Sequence, residues 1–363
     1  MQPEITIDAR WLRTGLGTYT YNLITRLRPY LAGFSLRGIV QQSSANRVAS
    51  YCDSIAVVDT PIYTIREQLQ IPWSARGADL LHIPHYNVPL LYGRRMVVTI
   101  HDLIHLVDEE ESRKAAVKTY ASLMLKAATR KAERIITVSN FSRDQIAEHL
   151  GVKEEKIVVI PNGVALHLRS ADGTRNGAYE RGRPYFLYVG NLKPHKNLKR
   201  LMQAVALVRS RTGWDWDFLI AGPNDQAAIE PYQEQARRLH ISDSVMFLTE
   251  VSDQALPDLY RGAKFLVLPS TLEGFGLPVL EAMACGTPVA CSQAASLPEV
   301  GGEAVRYFDP VEIEDIAAVL EALASSKDLR ADLAKKGLAR AAQFSWDESA
   351  RQHAALYRQV LNN

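Results

Sequence analysis

Short β-branched and aromatic runs recur along the chain, with helical patterns between them. Ile5–Ile7, Val97–Ile100, Arg134–Val138 and Ile157–Ile160 form a first series, and Tyr185–Val189, Phe218–Ala221, Val245–Leu248, Phe265–Leu268 and Pro288–Ala290 a second. Runs this continuously apolar suit strands covered on both faces, as in a parallel sheet whose crossovers are helices. Over 197–211, Leu198, Leu201, Met202, Val205 and Val208 recur at helical spacing, one amphipathic stripe for packing on such a sheet. The pattern predicts β-α alternation twice over, an α/β chain of two doubly wound parallel-sheet domains.

Between the two series, Arg169–Pro184 holds Asp172-Gly173, Asn176-Gly177 and Arg181-Gly182-Arg183-Pro184 and no strand or helix period. It reads as a linker, which sets domains at 1–168 and 185–345 with 169–184 between them. In the last segment, 346–363, Ala350, His353, Ala354 and Tyr357 fall at helical spacing, a terminal helix.

At 363 residues, 47% hydrophobic and 23% charged, the chain is long enough for two cores and is not of the disordered or collagenous class. A balance of 42 basic against 40 acidic residues excludes a general nucleic-acid binder. Cys52, Cys285 and Cys291 contain no Cys-x-x-Cys pair, which disfavours a disulfide framework or zinc site and suits a reducing compartment. No basic-then-apolar leader opens the chain and no apolar run nears the roughly 18 residues of a membrane span, so the expected location is cytoplasmic. Charge is local: Ser112–Arg134 carries seven Lys and Arg against Glu133 alone, with Val117, Tyr120, Leu123, Met124 and Leu125 interleaved. A core-packed helix with a solvated basic face is the first reading, and a helix resting on an anionic membrane surface the second.

The most informative stretch, Pro269–Val289, follows the Phe265–Leu268 strand. Gly274 and Gly276 permit close backbone approach, and Pro278 fits the first turn of a helix ending near Gly286, so a helix N-terminus faces an anion. Glu273 lies in the loop and Glu281 eight positions later inside the helix, placed to serve different parts of one extended ligand. Lys196 precedes the amphipathic helix, where its ammonium can meet a diphosphate. His101-Asp102 follows the Val97–Ile100 strand. Gly15-Leu16-Gly17 is not a dinucleotide fingerprint, because Thr20 stands where a third glycine is needed; it leaves room for a phosphate or an acceptor at a helix start. The spacing of His82, His85, His101 and His105 suggests no metal site.

Glu273 and Glu281 around Gly274-Phe275-Gly276-Leu277-Pro278 resemble the signature of the retaining glycosyltransferases of GT-B fold, family four of that classification. Further blocks follow that family's order: Ile7–Arg10 with Gly15–Tyr19, Thr99–Leu103, Val138–Ser142, Pro161–Val164, Val189–Asn197 and Ser296–Gly301. The resemblance implies two Rossmann-like domains facing a cleft, the first binding the acceptor and the second a nucleotide-diphospho-sugar, with the terminal helix returning to the first. It implies that Glu273 bonds the transferred sugar, Glu281 the ribose, and His101 the sugar, with Lys196 on the diphosphate. Gly15, Gly17, Asn191, Val251, Gly274, Phe275, Gly276 and Leu277 complete the implied donor site, and neither metal nor cofactor is implied. One departure stands out: Asn191 replaces an arginine common after the glycine of the diphosphate block, which leaves Lys193, Arg10 or Arg13 as candidates for a second cation.

The phrases around Ile7–Arg10, Gly15–Gly17 and Ile100–Leu103 look most like bacterial mannosyltransferases of O-antigen and lipopolysaccharide assembly. That implies GDP-mannose and a glycan or lipid-linked acceptor, with retention by a front-face path. UDP-glucose, UDP-N-acetylglucosamine and deoxysugar donors stay open, as do a sugar-nucleotide epimerase and an inactive nucleotide-sugar binder.

Overall fold

The computed structural model describes residues 2–13, 16–108, 115–165, 168, 182–222, 225–249 and 251–362. The chain forms two compact units, Met1–Gly163 with Ser345–Asn363, and Val164–Phe344. Of the expected linker, residues 169–181 lie outside the described residues.

In the first unit the described strands are β1 (Glu4–Asp8), β2 (Ser35–Val40), β3 (Ser54–Val57), β4 (Leu80–Ile83), β5 (Met96–Thr99), β6 (Arg134–Thr137) and β7 (Ile157–Val159). They form one parallel sheet in the order β3-β2-β1-β4-β5-β6-β7. In the second unit β8 (Tyr185–Val189), β9 (Asp217–Ala221), β10 (Val245–Leu248), β11 (Leu266–Leu268), β12 (Val289–Ser292) and β13 (Arg306–Phe308) follow the order β10-β9-β8-β11-β12-β13, also parallel. In each unit the chain walks outward over three strands, then crosses back to the far side of the first. The crevice at the carboxyl ends of β1 and β4, and of β8 and β11, is therefore the switch point where open α/β sheets bind ligands.

The stripe Leu198, Leu201, Met202, Val205 and Val208 is buried on the helix Leu198–Thr212, as its spacing requires. Phe186 stacks on Phe218 at 4.5 Å under that sheet. Strands β2, β3, β4 and β13 add to the expected series. The helix Ala115–Lys131 buries Ala121, Met124, Leu125 and Ala128, yet leaves Val117, Tyr120 and Leu123 exposed. The first reading of the basic segment thus covers only part of its apolar residues. Its start, 112–114, lies outside the described residues.

The terminal helix Trp346–Asn362 belongs to the first unit and buries Trp346, His353 and Tyr357 there. The chain leaves this unit beside the point where it re-enters: a Cβ on Gly163 would stand 2.0 Å from the Trp346 nitrogen, so only glycine fits that crossing. The first unit therefore closes at Gly163, ahead of the boundary expected at 168. Val164 N–H bonds Phe344 C=O at 3.4 Å at the matching end of the second unit.

Candidate functional site

At the second unit's switch point the loop after β8 meets the loop after β11. A single turn, Pro194–Lys196, is followed by Asn197 in the left-handed region at φ 56°. Its side-chain amide donates to the carbonyls of Pro269 (3.0 Å) and Pro310 (2.7 Å), and Thr271 N–H donates to the His195 carbonyl at 2.8 Å. These bonds fix the two loops to each other. Across them Lys196 Nζ meets Glu273 Oε1 at 2.6 Å, with side chains only 14% and 9% exposed. Ser270 Oγ donates to the same carboxylate oxygen at 2.8 Å, and Ser296 Oγ to the Glu273 carbonyl at 2.9 Å. A mostly buried ion pair, with one carboxylate oxygen held by both Lys196 and Ser270, is kept in one geometry, and an incoming anion and hydroxyl can take over its two halves.

The helix Leu277–Ala284 begins beside this pair. Its N-cap, Gly276, has φ 94°, a backbone conformation that demands glycine, and a Cβ there would also push on Leu297 Cδ2 at 2.4 Å. Phe275 is buried edge-on to Phe344 at 5.9 Å, which leaves its backbone rather than its ring for a ligand. On the next turns Glu281 Oε2 accepts the Tyr260 hydroxyl at 2.8 Å. Burial pushes the Glu281 carboxyl up to about 7, while the Tyr260 hydroxyl pulls the other way.

In the first unit His101 follows β5. Its Nε2 lies 3.1 Å from the Pro84 carbonyl, which can only accept, so Nε2 carries the proton. The ring stands edge-on to Tyr19 at 4.6 Å, and burial lowers its pKa, although Asp102 raises it, which keeps the imidazole neutral. Behind it runs a buried chain of hydrogen bonds whose direction follows from its ends. His353 Nδ1 donates to the Ser349 carbonyl (2.7 Å), so Nε2 accepts from Tyr19 OH (2.8 Å). Tyr19 OH then accepts from Thr99 Oγ1 (2.8 Å), which accepts from His82 Nε2 (2.8 Å), whose Nδ1 accepts from Tyr357 OH (2.6 Å). Both histidines are buried neutral, His353 with a pKa lowered to about 4. The terminal helix thereby fixes the tyrosine against which His101 packs. Of these five residues the sequence motifs contained Tyr19 and Thr99; the signal for His82 is a polar residue inside an apolar strand.

Arg10 is not an available second cation. Its guanidinium is buried, bonded to Asp8 Oδ1 and Oδ2 (2.9 and 2.8 Å) and to Glu67 Oε2 (3.0 Å). Gly17 opens the helix Gly17–Leu27, but a Cβ there would lie 2.4 Å from the Leu12 carbonyl oxygen. Protein backbone, rather than vacant room for a ligand, therefore accounts for that glycine. Gly15 and the Arg13 side chain lie outside the described residues. Asn191 shapes its loop: its carbonyl accepts from Tyr188 OH (2.6 Å) and its Oδ1 from Lys193 N–H (3.2 Å). Val251 is half-buried and Gly274 buried. Lys196, Glu273, Gly274, Gly276 and Leu277 are thus drawn into one place, with Glu281 further along the same helix. Among the described residues no group of three or more His, Cys, Asp or Glu is arranged to hold a metal.

Two family models match the chain: Glycosyltransferase Family 4 over residues 13–168 and Glycosyl transferases group 1 over 175–340. The chain is 28% identical to O-antigen chain mannosyltransferase B of Escherichia coli, covering 95% of this chain and 96% of that one. It is 30% identical to the MMP alpha-(1->4)-mannosyltransferase of Mycolicibacterium hassiacum, covering 78% and 69%. The structure of Anabaena Alr3699/HepE in complex with UDP and glucose has the same fold, with TM-score 0.79 and 19% identity over 99% of this chain and 100% of that one. With two parallel-sheet α/β units, the two family models and these relatives, the chain belongs to glycosyltransferase family four and is a glycosyltransferase of GT-B fold resembling the O-antigen mannosyltransferases.

Proposed function

We propose that this glycosyltransferase moves mannose from GDP-mannose to a hydroxyl of a lipid-linked oligosaccharide, with retention and without a metal ion. Likeness to two proteins named mannosyltransferases supports the sugar. The observation that carries the chemistry is the Lys196–Glu273 contact at the β8/β11 switch point. On donor binding Lys196 turns to the diphosphate and Glu273 to the sugar hydroxyls. The bond from the anomeric carbon to the phosphate oxygen breaks, and the acceptor oxygen bonds that carbon from the same face. Its proton passes to the departing phosphate oxygen, whose charge Lys196 and the helix beginning at Leu277 stabilise.

Thermal unfolding in parallel with GDP, UDP, dTDP and ADP tests the donor. A ligand at 100 times its Kd adds about 2.7 kcal/mol, so GDP alone should raise Tm. A shift with UDP or dTDP instead moves the reading to a glucosyl, N-acetylglucosaminyl or deoxysugar donor.

Glu281 gives this binding a pH signature. Its folded pKa is raised, so its contribution to stability is full below its ordinary value and is lost as pH rises through about 7. Ribose hydroxyls donate to the ionised form. GDP affinity is therefore expected to rise about tenfold from pH 6 to pH 8, and Glu281→Gln to flatten that slope and weaken binding at pH 8. Calorimetric titration across that range reads both.

The acceptor's lipid suits an anionic membrane surface. Lys126, Arg130, Lys131, Arg134, Lys153 and Lys156 line a surface cavity of about 870 Å³, and Ile65, Leu69, Trp73 and Leu123 of the same unit are exposed. Among the described residues no helix is long and apolar enough to cross a membrane. Co-sedimentation with anionic but not neutral liposomes, lost at high salt, is the expected result.

A further inference from the structure

The first unit has a switch point of its own, between the carboxyl ends of β1 and β4, and its lining differs from that of the second. Beside the buried Asp8–Arg10–Glu67 cluster, this one carries a group of aromatic rings. Trp11 follows β1, and His85 and Tyr86 follow β4; Trp11 lies 4.2 Å from His85, and His85 lies 4.0 Å from Tyr86, centre to centre. All three are buried. Over them stand Tyr63, from the β3-to-β4 crossover, and Tyr120, from the helix Ala115–Lys131, with ring centres 6.1 Å apart and planes at 75°. Tyr63 is edge-on to Trp11 at 5.7 Å.

Three features set these two tyrosines apart from core packing. They are exposed, at 47% and 37%. Tyr63 is held at φ 63°, a left-handed conformation unfavourable for a bulky side chain, and such strain collects where a ligand is clamped. The tip of Tyr120 is anchored: its OH donates to Asn87 Oδ1 at 2.5 Å, and Asn87 Nδ2 donates to Glu67 Oε1 at 2.8 Å, while Tyr63 packs edge-on against Tyr120 and Trp11. The Tyr120 ring is thus fixed before any ligand arrives, which lowers the ordering cost of binding.

The chemistry of this surface selects among ligands. A pyranose presents an apolar C–H face to a ring and a rim of hydroxyls to polar groups, and aromatic faces backed by hydroxyl and amide tips match both. Among the described residues a phosphorylated ligand is poorly matched: Arg10, the cation beneath this layer, is bonded to Asp8 and Glu67, and His85 accepts the Asn87 N–H on Nδ1 and is neutral. We infer that Tyr63 and Tyr120, over Trp11 and His85, form the acceptor subsite and that it takes a neutral hexopyranose, stacked on the tyrosines, rather than a phosphorylated ring. This rests on the transferase reading above.

The test is saturation-transfer NMR on the full chain with GDP present, irradiating the aromatic protons and using methyl α-mannopyranoside, an α-linked mannobiose and mannose 6-phosphate as probes. Transfer to the two neutral probes is expected. Tyr63→Ala and Tyr120→Ala should each raise their Kd at least about fivefold, while Tyr63→Phe and Tyr120→Phe, which keep the ring and lose only the hydroxyl, should weaken binding by less than the alanine variants. Hydrogen-exchange protection at the β1 and β4 amides should be equal in all five proteins, which separates a lost subsite from a disturbed first unit. The inference is overturned by three results: no aromatic transfer in the wild type, alanine variants within twofold of it, or preference for mannose 6-phosphate. Failure of GDP to stabilise the wild type would instead count against the donor reading.

Discussion

Lys196→Ala is expected to lower kcat about a hundred- to a thousandfold, the size of effect seen when a single donor to a developing oxyanion is removed. Lys196 lies within the β8/β11 crevice, 14% exposed and 2.6 Å from Glu273, so it has no need to be recruited from solvent when the phosphate departs. Arginine should not restore the rate, because a planar fork does not fit the space of a compact ammonium already seated on one carboxylate oxygen. Glu273→Gln removes the negative charge opposite Lys196 and replaces one of the two acceptor oxygens by an NH2 donor, weakening the ion pair and the hold on sugar hydroxyls together. The double variant should lose far less than the product of the two single losses, since the residues act on one substrate through one contact. Initial rates of GDP release at saturating donor and acceptor decide the matter. A loss below tenfold for Lys196→Ala would remove it from the leaving-group role.

The same crevice shows how far the residue order carries. Glu273, Glu281 and Lys196 are legible in it because glycine, proline and charged residues right after buried strands have few structural uses. Their meeting is not: Lys196 and Glu273 are 77 positions apart and touch only because β8 and β11 are neighbours in the sheet. Periodicity found the most apolar strands and passed over those that carry polar work. Strand β2 holds Arg37, whose guanidinium meets Glu4 at 2.9 Å. Strand β3 is an edge strand, largely exposed. Strand β4 holds His82, which hydropathy counts against burial although Thr99 and Tyr357 satisfy both its nitrogens. The relay behind His101 was out of reach for the same reason, since Tyr357 and His82 are 275 positions apart. Tyr63 gave no sign, because a tyrosine in the left-handed region has no sequence signature.

Arg10 shows the opposite failure, a charged residue that looked available and is structural, and it carries the largest expected effect on stability. Arg10→Met should destabilise the first unit by about 3–5 kcal/mol, as expected when one partner of a buried ion cluster is removed and the others stay charged. Asp8 is 0% and Glu67 2% exposed, and the guanidinium spans both, two bonds to Asp8 and one to Glu67. Burial alone would lower the guanidinium's pKa, yet the two carboxylates hold it above its ordinary value, so the charges are mutually required. Lysine, with no fork to bridge two carboxylates, should recover little of the loss. Because the chain has two units, a single unfolding midpoint is a poor measure; native-state hydrogen exchange at β1 and β4 amides reads the first unit directly. Protection there should fall a hundredfold or more, while β8 and β11 keep theirs. Neutralising the whole cluster, with Asp8→Asn and Glu67→Gln added to Arg10→Met, should restore most of it, since no buried charge is then left alone. If Arg10→Met keeps its protection, the cluster is not what braces β1 against the crossover that carries Glu67. The link from Glu67 through Asn87 to Tyr120 would then have to draw its rigidity from ring packing alone.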